Sequence, residues 1–294
     1  MSKAIGGYME YLLSKEEMQA VINGDHGNVF AVLGIHRDKG SKEVFIRAYQ
    51  PNTRSIEVLK NDGTSLGMMT KLDDRGFYQI NLGVGENFAY RFKIENDLGN
   101  TYMAEDAYRF QSNIGDIDAY LFAEGTHLDM YKKLGAHPMT MDGVAGVSFA
   151  VWAPNAMRVS VVGDFNEWDG RIHQMRRLGD SGIFELFIPG AEAGDCYKYE
   201  LKIKGGLTYL KADPYGNAAQ KRPETASVIA DIRNYQWEDD EFLKSRKKYQ
   251  CGNAPVSVYE MYLGSFVTPD EGQDYVNYRE IAPKVIEYVK KMGY

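Results

Sequence analysis

The side chains of this sequence best suited to surface chemistry are the two aromatics of Gly163-Asp164-Phe165-Asn166-Glu167-Trp168, a run rich in turn formers. An indole offers negative π density to the slightly positive C–H face of a sugar, and a flat ring with few rotatable bonds loses little entropy when it stacks. The chain as a whole holds 21 Tyr, 13 Phe and 3 Trp, which suits aromatic β-sheet cores and equally suits a surface that stacks on sugars or bases. Composition does not separate the two. Asp164 and Asn166 could bond sugar hydroxyls, yet turn formers in such a loop are more often tied to their own backbone. No Ser/His/Asp or Cys/His arrangement has any specificity for nucleophilic catalysis, and Gly205-Gly206 reads as a hairpin turn rather than a phosphate loop.

Strands must position that loop. Val147, Phe149 and Val151 alternate with Ser148, Ala150 and Trp152, the period of a half-buried strand, and Ala153-Pro154-Asn155 turns the chain into a β-branched run at 159–162. Upstream, Ser14-Lys15-Glu16-Glu17 is a capping-box pattern that predicts a short helix. Strands are expected at 44–49, 55–59, 77–80 and 90–94, separated by Gly/Asp/Asn turns, the spelling of a β-sandwich.

The pattern occurs twice. Leu33-Gly34-Ile35-His36 returns as Leu134-Gly135-Ala136-His137, Tyr49-Gln50-Pro51-Asn52 as Trp152-Ala153-Pro154-Asn155, and Gly76-Phe77-Tyr78 as Gly182-Ile183-Phe184. Tyr90-Arg91-Phe92-Lys93-Ile94 returns as Tyr197-Lys198-Tyr199-Glu200-Leu201, and Asp106 and Tyr108 as Asp213 and Tyr215. A duplicated sandwich follows, its second copy running to about Asp231. Tyr197, Tyr199, Leu201 and Ile203 then face its core, while Lys198, Glu200 and Lys202 face solvent. His36 and His137 hold equivalent places, and each is expected to cap a turn of its own sandwich, because no ligand cluster accompanies either at metal-binding spacing. No metal and no cofactor are expected.

With Lys+Arg 34 against Asp+Glu 41, the net charge of -7 repels nucleic acid and anionic lipid. No apolar run approaches a membrane span and the amino terminus lacks a signal-peptide core, so a cytoplasmic protein is expected. Cys196 and Cys251 read as reduced packing residues. Beyond Asp231 the sequence turns charged and suggests a solvated connector. Pro255 to Leu263 then reads as one strand, and Asn277 to Met292 as one helix opened by an Asn277/Glu280 capping box, with Pro283 kinking it or marking its regular start.

With these residues in hand, the chain resembles the amino-terminal portion of the bacterial 1,4-α-glucan branching enzymes of the α-amylase superfamily, from about Asn28 onward. The matching runs are Leu33-Gly34-Ile35-His36, Gly115 to His127, Lys133 to His137, Val147 to Asp169, Arg222 to Ser227 and Val258 to Ser265. Val29 and Ala107 stand where the family usually has Pro, Tyr262 where it has His, and Phe266 where it has Trp. The resemblance implies a mainly β chain: two tandem immunoglobulin-like β-sandwiches followed by the first βα unit of an incomplete (β/α)8 barrel. The expected layout is a flexible terminus at 1–13, a first sandwich with its leading helix at 14–125, and a second, carbohydrate-binding-module-like sandwich at 126–235. A connector at 236–254 and the barrel's first strand and helix at 255–294 complete it.

Family members cleave α-1,4-glucan and transfer the freed segment to a 6-hydroxyl with retention, which needs a nucleophile and an acid/base carboxylate about 5 Å apart at barrel strand ends. Those carboxylates belong to later strands, so this chain carries no catalytic residue and is expected to be inactive and at most glucan-binding. A stand-alone glucan-binding or purely structural sandwich protein is the alternative. The expected partners are an α-glucan and the parent's own catalytic barrel, without nucleic acid or membrane. By the same resemblance Trp168 and Lys198 stand where glucan-contacting residues stand, Tyr209 is the candidate second platform and Asn166 a hydroxyl partner. The usual Asn of the module has no clear counterpart, Ser227 falling near its place.

Overall fold

Ser14 opens the first helix as expected: its hydroxyl accepts from the Glu17 amide at 3.1 Å and the Glu17 carboxylate accepts from the Ser14 amide at 3.0 Å, so α1 (Lys15–Ile22) starts with a reciprocal cap. The computed structural model describes residues 13–249, 252–253 and 255–294. Of the stretch 1–13 expected to fray, residues 1–12 lie outside the described residues, as does Cys251. Leu13 corrects the remainder, because it packs on the core around Val21, Ile22 and Phe77. Cys196 is a free thiol.

The first sandwich comprises β1 (Gly34–Arg37), β2 (Glu43–Tyr49), β3 (Thr53–Lys60), β4 (Ser65–Met68), β5 (Thr70–Asp73), β6 (Phe77–Val84), β7 (Tyr90–Asn96) and β8 (Thr101–Glu105). Two antiparallel sheets, ordered β1-β2-β6-β5 and β4-β3-β7-β8, enclose Ile46, Ile56, Val58, Tyr90 and Phe92. After α2 (Asp116–Ala123) come β9 (Gly135–Met141), β10 (Val144–Trp152), β11 (Ala156–Gly163), β12 (Arg176–Arg177), β13 (Ile183–Pro189), β14 (Cys196–Ile203), β15 (Thr208–Lys211), β16 (Ala218–Ala219) and β17 (Ser227–Val228). They form the sheets β12-β13-β10-β9 and β11-β14-β17-β16, with β15 also on β14. Mainly β, immunoglobulin-like architecture is what the alternating apolar pattern and Gly/Asp turns dictate.

The duplication extends to single hydrogen bonds. Tyr90 Oη donates to Asp106 Oδ2 at 2.5 Å and Tyr197 Oη to Asp213 Oδ2 at 2.7 Å. His36 and His137 each place Nε2 against the carbonyl three residues earlier, at 2.9 and 2.8 Å, the turn-capping role expected of both. Gly34 and Gly135 have φ of 90° and 105°, and an added Cβ would stand 2.7 Å from the Tyr108 carbonyl oxygen in one copy and 3.0 Å from that of Tyr215 in the other.

The two sandwiches are bolted together. The Tyr108 hydroxyl of the first donates to the Ile172 carbonyl at 2.8 Å and accepts from the Gln174 amide at 3.0 Å. The buried Gln174 side chain donates back to the Val21 carbonyl at 3.1 Å. The Arg176 guanidinium lies 3.9 Å from the Phe30 ring centroid.

Residues 235–294 form a separate compact unit. Where a solvated connector was expected, α3 (Asp240–Tyr249) is helical, with Asp240 and Glu241 in its first turn and Arg246, Lys247 and Lys248 in its last, signs that suit the helix dipole. The run 255–263, expected as a strand, contains none: it has no ladder partners and ends in the short helix α4 (Leu263–Phe266). A strand exists only by pairing, and no strand among the described residues pairs with this run. The helix that follows is present as expected, α5 (Tyr278–Lys291), capped by Asn277 and Glu280, and it continues through Pro283.

Candidate functional site: an aromatic loop on the second sandwich

The loop after β11 is built to hold one indole. Gly163 leads into a short 3-10 turn at Asp164–Asn166, after which Glu167 and Trp168 both take left-handed backbone, φ 54° and 61°. Such a conformation is costly for residues with a side chain, and it persists where neighbours over-determine it. Asn166 is the neighbour that does so. Its Oδ1 accepts from the Gly163 amide at 2.9 Å, its Nδ2 donates to the Val161 carbonyl at 2.8 Å, and the same nitrogen lies 2.9 Å from His173 Nδ1. Burial pulls the His173 imidazole down to about 4, so at neutral pH it is uncharged and its Nδ1 can accept the amide proton.

The loop then folds across the outer face of β11 and β14. Arg158, buried under it, reaches the Gly170 carbonyl at 2.8 Å and pairs with Glu200 at 2.5 Å. Further along, Asp169 is held below its usual range: burial pushes its carboxyl up, but the Arg171 guanidinium at 2.6 Å and the Arg171 amide outweigh that.

Trp168 is 37% exposed. Its Nε1 donates to Asp164 Oδ1 at 3.1 Å and its amide to the Gly163 carbonyl at 3.1 Å. Asp164 Oδ2 in turn accepts from the Cys196 amide at 3.4 Å, which ties the indole to the start of β14. Lys198 lies two residues on, opposite Val162. Because Tyr197 and Tyr199 are fully buried, Lys198 is on the outer face, and its ammonium donates to Thr225 Oγ1 at 2.8 Å. A half-exposed indole tied to the start of the strand that presents this ammonium and hydroxyl can stack on a pyranose while they bond its hydroxyls.

The other two expected contacts are placed elsewhere. Asn166 is buried and both ends of its amide are engaged inside the loop; its position supports Trp168 rather than presenting a free amide. Tyr209 pairs with Leu201, and Tyr199 on the same strand pairs with Lys211. Opposed residues share a face, so Tyr209 points to the core side of the sheet's edge while Lys198 points away from it. Ser227 is buried and accepts from the Asp213 amide at 2.9 Å. Sequence reasoning missed Thr225, although it lies within the run Arg222 to Ser227, because nothing local shows that this segment returns beside β14.

Residues 133–216 match the family described as carbohydrate-binding module 48 (isoamylase N-terminal domain). Residues 14–108 match the family described as the alpha-1,4-glucan branching enzyme GlgB, N-terminal domain. Among curated proteins, the 1,4-alpha-glucan branching enzyme GlgB of Thermosynechococcus vestitus is 41% identical over 96% of this chain and 40% of its own length. Those of Rubrobacter xylanophilus and Rhodospirillum rubrum are 43% and 44% identical over 95% of this chain and 38% of theirs. The chain thus spans about two fifths of the length of these relatives. With both family matches in sequence order and this identity along nearly its whole length, the chain belongs to the amino-terminal region of the GlgB branching-enzyme family.

Proposed function

We propose that this chain is the glucan-holding, non-catalytic amino-terminal part of a branching enzyme. Trp168 is its stacking face, Lys198 and Thr225 bond hydroxyls, and Asn166 holds the loop. The observation that carries the reading is the indole fixed through its Nε1 and left 37% exposed, in a loop that crosses the face of the sheet presenting Lys198, within the stretch that matches the carbohydrate-binding family. The ligand is an α-glucan such as glycogen or amylose. Tyr209, on the opposite face of the sheet's edge, would serve only a chain that wraps round that edge.

The parent enzyme, on this reading, cleaves an α-1,4-glucan and joins the freed segment to a 6-hydroxyl with retention, using two carboxylates carried by barrel strands that this chain does not include. The domain layout proposed is a first sandwich at 14–125, the module at 126–235, a connector at 236–254 and the opening of the barrel at 255–294. No helix among the described residues is long and apolar enough to cross a membrane, and we place the protein in the cytoplasm, free of nucleic acid.

Affinity electrophoresis through glycogen tests the binding site. The wild type should be retarded, and Trp168→Ala should weaken retention about tenfold while melting within a few degrees of wild type, because the side chain is half-exposed. Equal mobility of both proteins with and without glycogen leaves the sandwiches as structural supports.

A further inference from the structure

Between the two sandwiches runs a cleft of about 800 Å³, within the range of small-ligand sites. Both neighbours of Trp168 in the chain, Glu167 and Asp169, line it. Across from them the first sandwich contributes Asn52, Asp97, Tyr102 and Glu105. Tyr102 is 46% exposed and is the repeat counterpart of Tyr209: each lies on an edge strand, paired with the third inward residue of the neighbouring strand, Ile94 in one copy and Leu201 in the other.

We propose that the cleft, walled on one side by the loop that carries Trp168, is a second glucan subsite in which Tyr102 of the first sandwich is the stacking ring. The proposal rests on the reading of Trp168 as a glucan contact and extends it to longer chains.

The chemistry of the walls selects a neutral polyol. Four carboxylates, Asp97, Glu105, Glu167 and Asp169, line the cleft, and they repel phosphate or a nucleic-acid backbone while accepting hydroxyl protons. A divalent cation is a poorer fit, since Glu105 already pairs with Arg109 at 2.9 Å and Asp169 with Arg171 at 2.6 Å. Tyr102 supplies the apolar face that carboxylates lack. Burial raises its hydroxyl above the ordinary value, and the charge of Glu167 adds to that rise, which puts the tyrosine of one sandwich within electrostatic reach of the Trp168 loop of the other. Tyr209, its counterpart in the second sandwich, does not line the cleft. A chain lying along both sandwiches would meet Trp168 first and Tyr102 next, so the cleft is felt only by ligands long enough to reach it.

Titration calorimetry with maltotriose and with maltoheptaose, on wild type, Tyr102→Ala, Tyr102→Phe and Trp168→Ala, tests this. Tyr102→Ala should weaken maltoheptaose by about two- to tenfold and leave maltotriose unchanged. Tyr102→Phe keeps the ring and should behave as wild type. An unchanged maltoheptaose affinity in Tyr102→Ala, with Trp168→Ala still defective, overturns the subsite and leaves the Trp168 site standing. Equal losses on both sugars overturn it too, since Tyr102 would then act by supporting the Trp168 loop. Absence of wild-type binding to either sugar defeats the Trp168 reading and the subsite with it.

Discussion

Asn166 and His173 decide whether Trp168 is presented at all. Two consecutive left-handed residues need an anchor, and the Asn166 amide ties the turn to Val161 and Gly163 before it and to His173 after it. Replacing Asn166 with Ala leaves a buried amide and a buried carbonyl without partners, so urea denaturation should show a loss of about 1–3 kcal/mol and glycogen retention should fall although no sugar contact was removed. A variant as stable as wild type would show that the turn holds itself. His173 adds a pH dependence whose sign is fixed by its environment. Its pKa falls from 6.5 to about 4 on folding, so between those values the unfolded chain binds more protons and His173's contribution to stability is lost as pH falls. Relative to a His173→Gln variant, wild type should keep a constant stability difference above about pH 6.5 and lose ground as the pH drops toward 4. A difference that stays flat through that window would mean the imidazole is solvated.

At the scale of elements the two sandwiches are one pattern with a local exchange. The sheet β1-β2-β6-β5 has the same order as β9-β10-β13-β12, and the β3-β7-β8 ladder recurs as β11-β14-β15. What differs is the segment after the third strand. In the first copy the chain forms the hairpin partner β4; in the second it becomes the loop 164–175, which carries Trp168 and lies over the sheet. The shared frame predicts parallel mutational effects. Gly34 and Gly135 both sit at positive φ under a tyrosine carbonyl, so alanine should destabilise at each place, by about 1–3 kcal/mol, and more at Gly34, where the approach is 2.7 Å against 3.0 Å. Denaturant midpoints of the two variants check this, and a neutral Gly34→Ala would contradict the equivalence. The tandem sandwiches were readable beforehand because period-two alternation and Gly/Asp turns are local properties of the chain.

The unit at 235–294 behaves differently from the sandwiches. Val256 and Val258 are 85% and 80% exposed and lie in a run without ladder hydrogen bonds, so the amides of residues 256–262 should exchange with deuterium far faster than those of β10 and β14. Comparable protection would show that this run is covered in solution. The chain is also expected to leave the iodine stain of amylose unchanged, and a drop in absorbance would mean that branching carboxylates are present where none was identified. Residues 255–263 show why a strand can be misread: the run has strand composition, but composition supplies only half of a ladder and the partner comes from elsewhere.

Much of this protein follows from adjacency along the chain. The capped helices, the alternating strands, the duplication, the exposed face that carries Lys198 and the aromatic loop that carries Trp168 all depend on spacings of a few residues, which the sequence displays directly. What depends on folding in space is which groups meet. Thr225 reaches Lys198 across 27 residues of chain, Asn166 turns inward to brace the loop, Tyr209 falls on the opposite face of its sheet from Lys198, and Tyr102 of one sandwich lines a cleft with the loop of the other. Hydrogen bonds and burial between distant segments are set by three-dimensional packing, and no local pattern of residue types encodes them.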